Sequence, residues 1–208
     1  MNEITAITPQ IKDKSRCNIY LDGKFCCGLT LETAIKNRLK TGVIITPERL
    51  ANLQLESEKS VAFDKALTHI SATRKTEKQV RDFLAGKGYL SAVCDYVVEK
   101  MQGYGFLNDS EYAESYAESA GKKKGVRLIR MELKNKGVAD EDIDGAIAGV
   151  DDSAQENAAK SVLEKYMRNK PTDKETLYKA FRYLLGKGFE YETAKSALSA
   201  FGDTGDEE

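Results

Sequence analysis

Alternating apolar and polar positions mark the first part of the chain, and a helical period takes over afterwards. Cys17-Asn18-Ile19-Tyr20-Leu21 and Lys24-Phe25-Cys26-Cys27-Gly28 are two short β-type runs on either side of Asp22-Gly23. Asp-Gly suits the two positive-φ positions of a type I′ turn, so the pattern predicts a β-hairpin. A two-stranded hairpin is marginal alone, and Ile4 to Ile11 supplies a third strand. From Thr30 the period becomes helical. Thr30 caps a short helix running through Leu39, which Thr41-Gly42 ends. Thr46-Pro47-Glu48 opens a second helix, with Thr at the N-cap and Pro at the first helical position.

From about Lys59 the pattern repeats. Leu84-Ala85-Gly86-Lys87-Gly88-Tyr89, Leu133-Lys134-Asn135-Lys136-Gly137-Val138 and Leu184-Leu185-Gly186-Lys187-Gly188-Phe189 carry one signpost. In each, a helix ends on a basic residue and a Gly, followed by an apolar residue. The Lys-Gly pairs stand 49 and 51 residues apart. With that register fixed, Val80, Ile129 and Ala180 align upstream. Downstream, Cys94, Ile143 and Ala194 align, then Val97, Ala146 and Ala197, then Val98, Ile147 and Leu198, then Met101, Val150 and Phe201. These positions fall on one helical face. An earlier helix in each unit carries Phe63, Leu67 and Ile70, then Tyr112 and Tyr116, then Val162, Leu163 and Tyr166. A period near 50 residues in helical units predicts a tandem array. The fold class is mainly α: three tandem three-helix repeats in an elongated array behind a small N-terminal β-hairpin or three-stranded sheet.

The boundaries expected are 1–58 for the N-terminal part, then 59–105, 106–150 and 151–202 for the repeats, with a disordered acidic tail over 203–208. The chain's 208 residues are ample for this. With 31% charged and 41% hydrophobic residues and no Trp, the composition reads as soluble and helical. No run approaches the ~18 apolar residues of a membrane span, and Met1 to Gln10 lacks a signal-peptide core, so the expected location is the cytoplasm. Cys17, Cys26, Cys27 and Cys94 have no disulfide-framework spacing and read as reduced thiols.

The motifs for chemistry are sparse. His69 is the only His, so a His-dependent triad or two-His metal site has no material within one chain. The cysteines match no zinc spacing, and Cys94 falls at a core position of the repeat. Gly103-Tyr104-Gly105 and Gly121-Lys122-Lys123-Lys124-Gly125 do not continue into the Gly-Lys-Ser/Thr of a phosphate loop. Glu111, Glu114 and Glu118 share a helical face, for which a solvated surface is the plain account. The sequence therefore predicts no enzyme, no cofactor and no metal.

One cationic pattern stands out. The net charge is −1, yet residues 59–105 carry eight Lys and Arg against five Asp and Glu. Arg74, Lys75, Lys78 and Arg81 precede the first signpost, and Lys123, Lys124, Arg127 and Arg130 stand at the equivalent positions of the second unit. Lys134 continues the stripe, which is read as lying on the second helix of each unit. The third unit has Lys174, Glu175, Tyr178 and Phe181 there, so it has lost most of the stripe. Either a merely solvated helix face or a partner-binding surface fits this pattern, the partner being phosphates or an acidic protein groove.

At these residues the chain resembles the RecX family of recombination regulators. The resemblance is carried by Arg74-Lys75-Thr76-Glu77-Lys78-Gln79-Val80-Arg81-Asp82-Phe83-Leu84 with Lys87-Gly88. It continues through Gly105-Phe106-Leu107-Asn108-Asp109 with Tyr112-Ala113 and Tyr116, then Gly125-Val126-Arg127-Leu128-Ile129, Leu133 and Lys136-Gly137-Val138. The hairpin Asn18-Ile19-Tyr20-Leu21-Asp22-Gly23 belongs to it as well. The resemblance implies tandem three-helix repeats forming an elongated, curved molecule that regulates homologous recombination and DNA repair; the chain is expected to be a monomer. The resemblance further implies binding to RecA, free or as a filament on single-stranded DNA, in the filament groove. Inhibition of strand exchange, ATPase and co-protease activity would follow, with at most weak direct DNA contact. The alternative class is a stand-alone single-stranded nucleic-acid-binding module.

Overall fold

The computed structural model describes residues 1–11 and 13–199. The acidic tail and Phe201 lie outside the described residues. Contacts divide the chain into two compact units: Met1–Arg74 with Val80–Phe106, and Lys75–Gln79 with the chain from Leu107 onward.

The first unit begins with strands β1 (Asn2–Pro9), β2 (Arg16–Leu21) and β3 (Lys24–Thr30), followed by helix α1 (Leu31–Lys36), the short strand β4 (Ile44–Ile45) and helix α2 (Pro47–Ser71). The hairpin forms as the turn chemistry predicts, with positive φ at both Asp22 and Gly23. β2 and β3 pair in antiparallel register with Cys17 opposite Leu29 and Ile19 opposite Cys27. The sheet has four strands, not three, in the order β3-β2-β1-β4. The fourth, Ile44-Ile45, is too short to show a period; Asn2 and Glu3 pair with it once Gly42, at φ 88°, turns the chain back. Ile4, Cys17, Ile19, Leu21, Cys27, Leu29 and Ile45 form the inner face with Leu50 and Leu53 of α2. Burial of each large side chain there contributes about 1.5–3 kcal/mol.

α1 stops three residues short of the expected Leu39. Asn37 caps it, Arg38 takes φ 51°, and the amides of Arg38 and Leu39 donate to the carbonyls of Ile35 and Ala34. That is a Schellman end built without glycine, which glycine-based reasoning passes over. α2 is longer than expected and runs unbroken through residues 58 and 59, joining the helix opened by Thr46 to the first helix of the first repeat. The Thr30 amide donates to the buried Ser57 hydroxyl at 2.8 Å, fixing α2 to the end of β3. The first repeat is completed by α3 (Glu77–Gly86) and α4 (Ser91–Gly103).

The second unit holds α5 (Asp109–Gly121), α6 (Val126–Asn135), α7 (Asp140–Ala148), α8 (Asp152–Met167), α9 (Lys174–Gly186) and α10 (Tyr191–Ser199). The described chain thus carries a small antiparallel sheet and ten helices, nine of them from α2 onward in three tandem three-helix repeats. Leu84, Leu133 and Leu184 are fully buried at their equivalent positions, as are Val80, Ile129 and Ala180. All three signposts make the same helix end. Gly88, Gly137 and Gly188 have φ of 86°, 83° and 86°. The amide after each Gly donates to the buried Leu carbonyl: Tyr89 to Leu84, Val138 to Leu133 and Phe189 to Leu184.

The first helices of the first two repeats correct the expected core, whereas in the third Leu163 is buried as expected. Ala62 and Ala66, Ala113 and Ala117, and Ala159 with Leu163 are the fully buried residues there, whereas Phe63, Tyr112 and Tyr116 are only half-buried. In the second and third repeats the alanines let α5 approach α7 and α8 approach α10 closely, and the larger rings are pushed to the rim.

Candidate partner-binding surface

Each basic position has a place set by its local backbone. The stripe does not lie wholly on the second helices. Arg74 and Lys75 precede α3, and Lys123 and Lys124 precede α6; only Lys78, Arg81, Arg127, Arg130 and Lys134 are helical. The reason is the N-cap. Thr76 accepts the Gln79 amide at 3.3 Å while the Gln79 side chain accepts the Thr76 amide at 3.1 Å, a reciprocal capping box. Gly125, at φ −78° and ψ 160°, holds the same place before α6.

Several of the cations are answered by acids. Arg81 pairs with Asp95 on α4, and Arg130 pairs with Asp144 on α7 at 2.5 Å, at equivalent places in their repeats. Lys134 pairs with Asp140 at 2.9 Å. Asp95 and Asp144 have Lys195 as their third-repeat counterpart, and Phe181 replaces the arginine. Loss of the stripe in the third repeat is therefore partly the loss of an ion pair inside the repeat, with both partners gone together. Because these pairs are open to water, they hold the side chains in place more than they stabilise the fold.

Lys124 sits in a tighter arrangement. Its ammonium donates to both oxygens of Glu132 at 2.6 and 2.7 Å, and the Tyr116 hydroxyl donates to Glu132 at 2.7 Å. Burial pushes the Glu132 carboxyl up. The hydrogen bonds from Lys124 and Tyr116, with the charges of Lys124 and Lys136, outweigh it and hold the group below its ordinary value. The Glu132 hydrogen bond in turn raises Lys124. Burial and Glu132 raise the Tyr116 phenol.

Lys123 and Arg127 are exposed, and among the described residues neither takes part in an ion pair. In the first repeat, Arg74 and Lys78 are exposed and Lys75 is half-buried. Lys78 runs its aliphatic stem over the Gly137 turn, so close that a Cβ on Gly137 would lie 2.4 Å from Lys78 Cδ. Tyr178, in the place of Lys78 and Arg127, is 61% exposed and stands 6.0 Å from the Arg182 guanidinium. The third repeat thus presents an aromatic surface where the other two present charge.

Lysine–aromatic contacts are a feature that reading for charge alone missed. Lys100 lies 4.6 Å from the centre of Phe63 and 5.8 Å from those of Tyr96 and Tyr104. Lys87, Lys136 and Lys187 of the three signposts lie over Phe83, Tyr116 and Tyr183 at 5.6, 5.3 and 5.3 Å. A signal was present in the sequence for two of the three: Phe83 and Tyr183 stand four residues before Lys87 and Lys187, whereas Lys136 has Glu132 there and reaches Tyr116 of the preceding helix instead. His69 stacks on Phe83 with ring centres 4.0 Å apart. Among the described residues, no group of three or more His, Cys, Asp or Glu could hold a metal ion, and no helix is long and apolar enough to cross a membrane.

Known proteins of the same design cover the whole of this architecture. Four family models match in chain order. The regulatory protein RecX N-terminal domain matches residues 2–46; the first, second and third RecX three-helix domains match residues 62–101, 108–147 and 154–198. The chain is 31% identical over 202 residues to the regulatory protein RecX of Clostridium beijerinckii, covering 95% of each chain. It is 32% identical to that of Listeria monocytogenes, covering 95% of this chain and 75% of the relative. A crystal structure of a regulatory protein RecX is similar at a TM-score of 0.73 and 26% identity, over 96% of this chain and 100% of the other. RecX from Lactobacillus salivarius is similar at 0.63 and 25% identity, over 69% and 96%. In sequence, domain order and fold, the chain belongs to the RecX family of regulatory proteins.

Proposed function

We propose that this chain is a non-enzymatic regulator of homologous recombination that binds RecA in the groove of its filament on single-stranded DNA and inhibits strand exchange, ATPase and co-protease activity. The observation that carries this reading is the full run of four RecX domains in family order, from residue 2 to residue 198. The cationic positions are the proposed contact: Arg74, Lys75, Lys78, Arg81, Lys123, Lys124, Arg127, Arg130 and Lys134. Among them Lys123 and Arg127 take first place, since an acidic RecA surface or a DNA phosphate reaches them without displacing an acid of the same repeat. Lys123→Glu/Arg127→Glu is expected to relieve inhibition of RecA strand exchange at least about ten-fold, a loss of roughly 1.4 kcal/mol in binding. Arg130→Glu is the poorer probe, because it also sets two carboxylates against each other at Asp144. Unchanged inhibition by the folded double variant rules out the stripe as the contact.

One observation favours a second reading, a stand-alone single-stranded nucleic-acid-binding module. Lys59 and Lys100 stand over Tyr96, and Lys100 also over Phe63 and Tyr104, the pairing of cation and ring that takes phosphate and base together. This reading expects the purified chain to retain single-stranded DNA at low salt, weakening steeply as salt rises. No retention at low salt dismisses it.

A further inference from the structure

Within the second unit, one joint is made twice. The Gly125 amide donates to the Lys187 carbonyl at 3.0 Å, and the Arg127 amide donates to the Gly188 carbonyl at 3.1 Å. The N-terminus of α6 therefore sits on the signpost turn that ends α9. Residues 75–79, which count with this unit, repeat the arrangement on the turn that ends α6: the fully buried Thr76 hydroxyl donates to the Lys136 carbonyl at 2.6 Å, and Lys78 lies over Gly137. Each joint joins the positive N-terminal end of one helix to the negative C-terminal end of another. At α6 the close approach leaves room only for glycine as the N-cap, whereas at α3 the cap is the buried Thr76. A Cβ on Gly125 would lie 2.1 Å from the Gly188 carbonyl carbon. Two residues beyond each cap stands a base, Lys78 or Arg127.

The third copy of the turn is open. Lys87 and Gly88 are exposed, and a Cβ on Gly88 would meet nothing within 4 Å. Among the described residues, no hydrogen bond reaches the Lys87 or Gly88 carbonyl. Beside the turn, Leu90 is 70% exposed, where the other repeats have Ala139 and Glu190. A second copy of this chain does not offer the three equivalent helix ends. Its Thr76 and Gly125 are engaged in its own joints, and its α9 starts before Thr176, their counterpart, with Asp173 accepting the Thr176 amide at 2.8 Å.

We propose that the Lys87-Gly88-Tyr89-Leu90 turn is a docking site for a helix N-terminus of a partner protein. The partner's helix carries Gly, Ser or Thr at its N-cap and a basic residue two positions on, and donates its first free amides to the Lys87 and Gly88 carbonyls. The idea stands apart from the cationic stripe and does not depend on it.

The probe is a stapled helical peptide of residues 124–135, the natural occupant of the α9 joint, added to the isotope-labelled full chain. Saturable shifts of the Gly88, Tyr89 and Leu90 amides are expected. They should vanish with a Gly125→Val peptide, and in the Gly88→Asn chain, since Asn accepts the positive φ but fills the approach. The peptide variant decides the matter if Gly88→Asn fails to fold. Absence of shifts at these amides overturns the proposal. So do shifts confined to Lys187 and Gly188, or shifts that survive the Gly125→Val change. Inhibition of RecA by the Lys123→Glu/Arg127→Glu chain is read separately and is unaffected by either result.

Discussion

Gly125 and Gly145 show how differently one residue type behaves. A Cβ on Gly125 would strike the Gly188 backbone, whereas Gly145 is exposed inside α7 with nothing within 4 Å of a Cβ. Gly125→Ala is therefore expected to cost about 1–3 kcal/mol, the range for forced overpacking. Gly145→Ala should stabilise by about 0.5–1 kcal/mol, because alanine loses less backbone freedom in a helix. Urea denaturation of the two variants checks both signs. The sequence distinguished neither glycine, since both lie outside the signpost. What it marked correctly were Gly88, Gly137 and Gly188, because a helix end followed by an apolar residue is a local pattern. The approach of another backbone to Gly125 and Gly188 comes from a segment some 60 residues distant, and no local pattern encodes it.

At the scale of elements, the repeat was legible wherever a single helix carried the signal. Val80, Ile129, Leu84, Leu133 and Leu184 follow the helical period and are buried as it requires. The first helices misled because their rings are more conspicuous than their alanines, although Ala62 and Ala66, and Ala113 and Ala117, stand at the i, i+4 spacing of a packed face. The arrangement of Lys124, Tyr116 and Glu132 was also out of reach, since Glu132 lies in the position of Phe83 and Tyr183 and breaks the repeat. It has a pH signature. Glu132 is held below its ordinary value of 4.5, so its contribution to stability is present above that pH and lost as the pH falls through the lowered folded value. Glu132→Gln should be less stable than the parent at pH 6, and the two should converge as acid protonates the carboxyl. Denaturation curves measured from pH 6 to pH 3 test this; a difference that does not shrink removes Glu132 as its source.

At the scale of the whole molecule, four domains follow one another, and the second and third repeats are coupled. The Gly125 and Arg127 amides donate to the Lys187 and Gly188 carbonyls, and the Gln155 side chain of α8 donates to the Gly121 and Lys124 carbonyls at 3.3 Å. A chain ending at residue 150 leaves these groups without partners. Amides of α6 such as Ile129 and Leu133 should then exchange at least about ten-fold faster than in the full chain, as nearest-neighbour coupling between repeats predicts. Equal exchange rates in the two chains would show the repeats to be independent.

The sequence by itself determined the hairpin and its turn, the number of helical repeats, their three matching helix ends and the family. All of these are written in short-range periods, turn chemistry or the order of motifs. Only the tertiary structure decided which cations are answered by Asp95, Asp144, Asp140 and Glu132 and which stand exposed. It also decided which signpost turns are covered by a helix N-terminus and which one is open. The physical reason is range. A helix or a turn is specified by neighbours within a few residues, whereas a charge or a carbonyl finds its partner across the packing of separate helices.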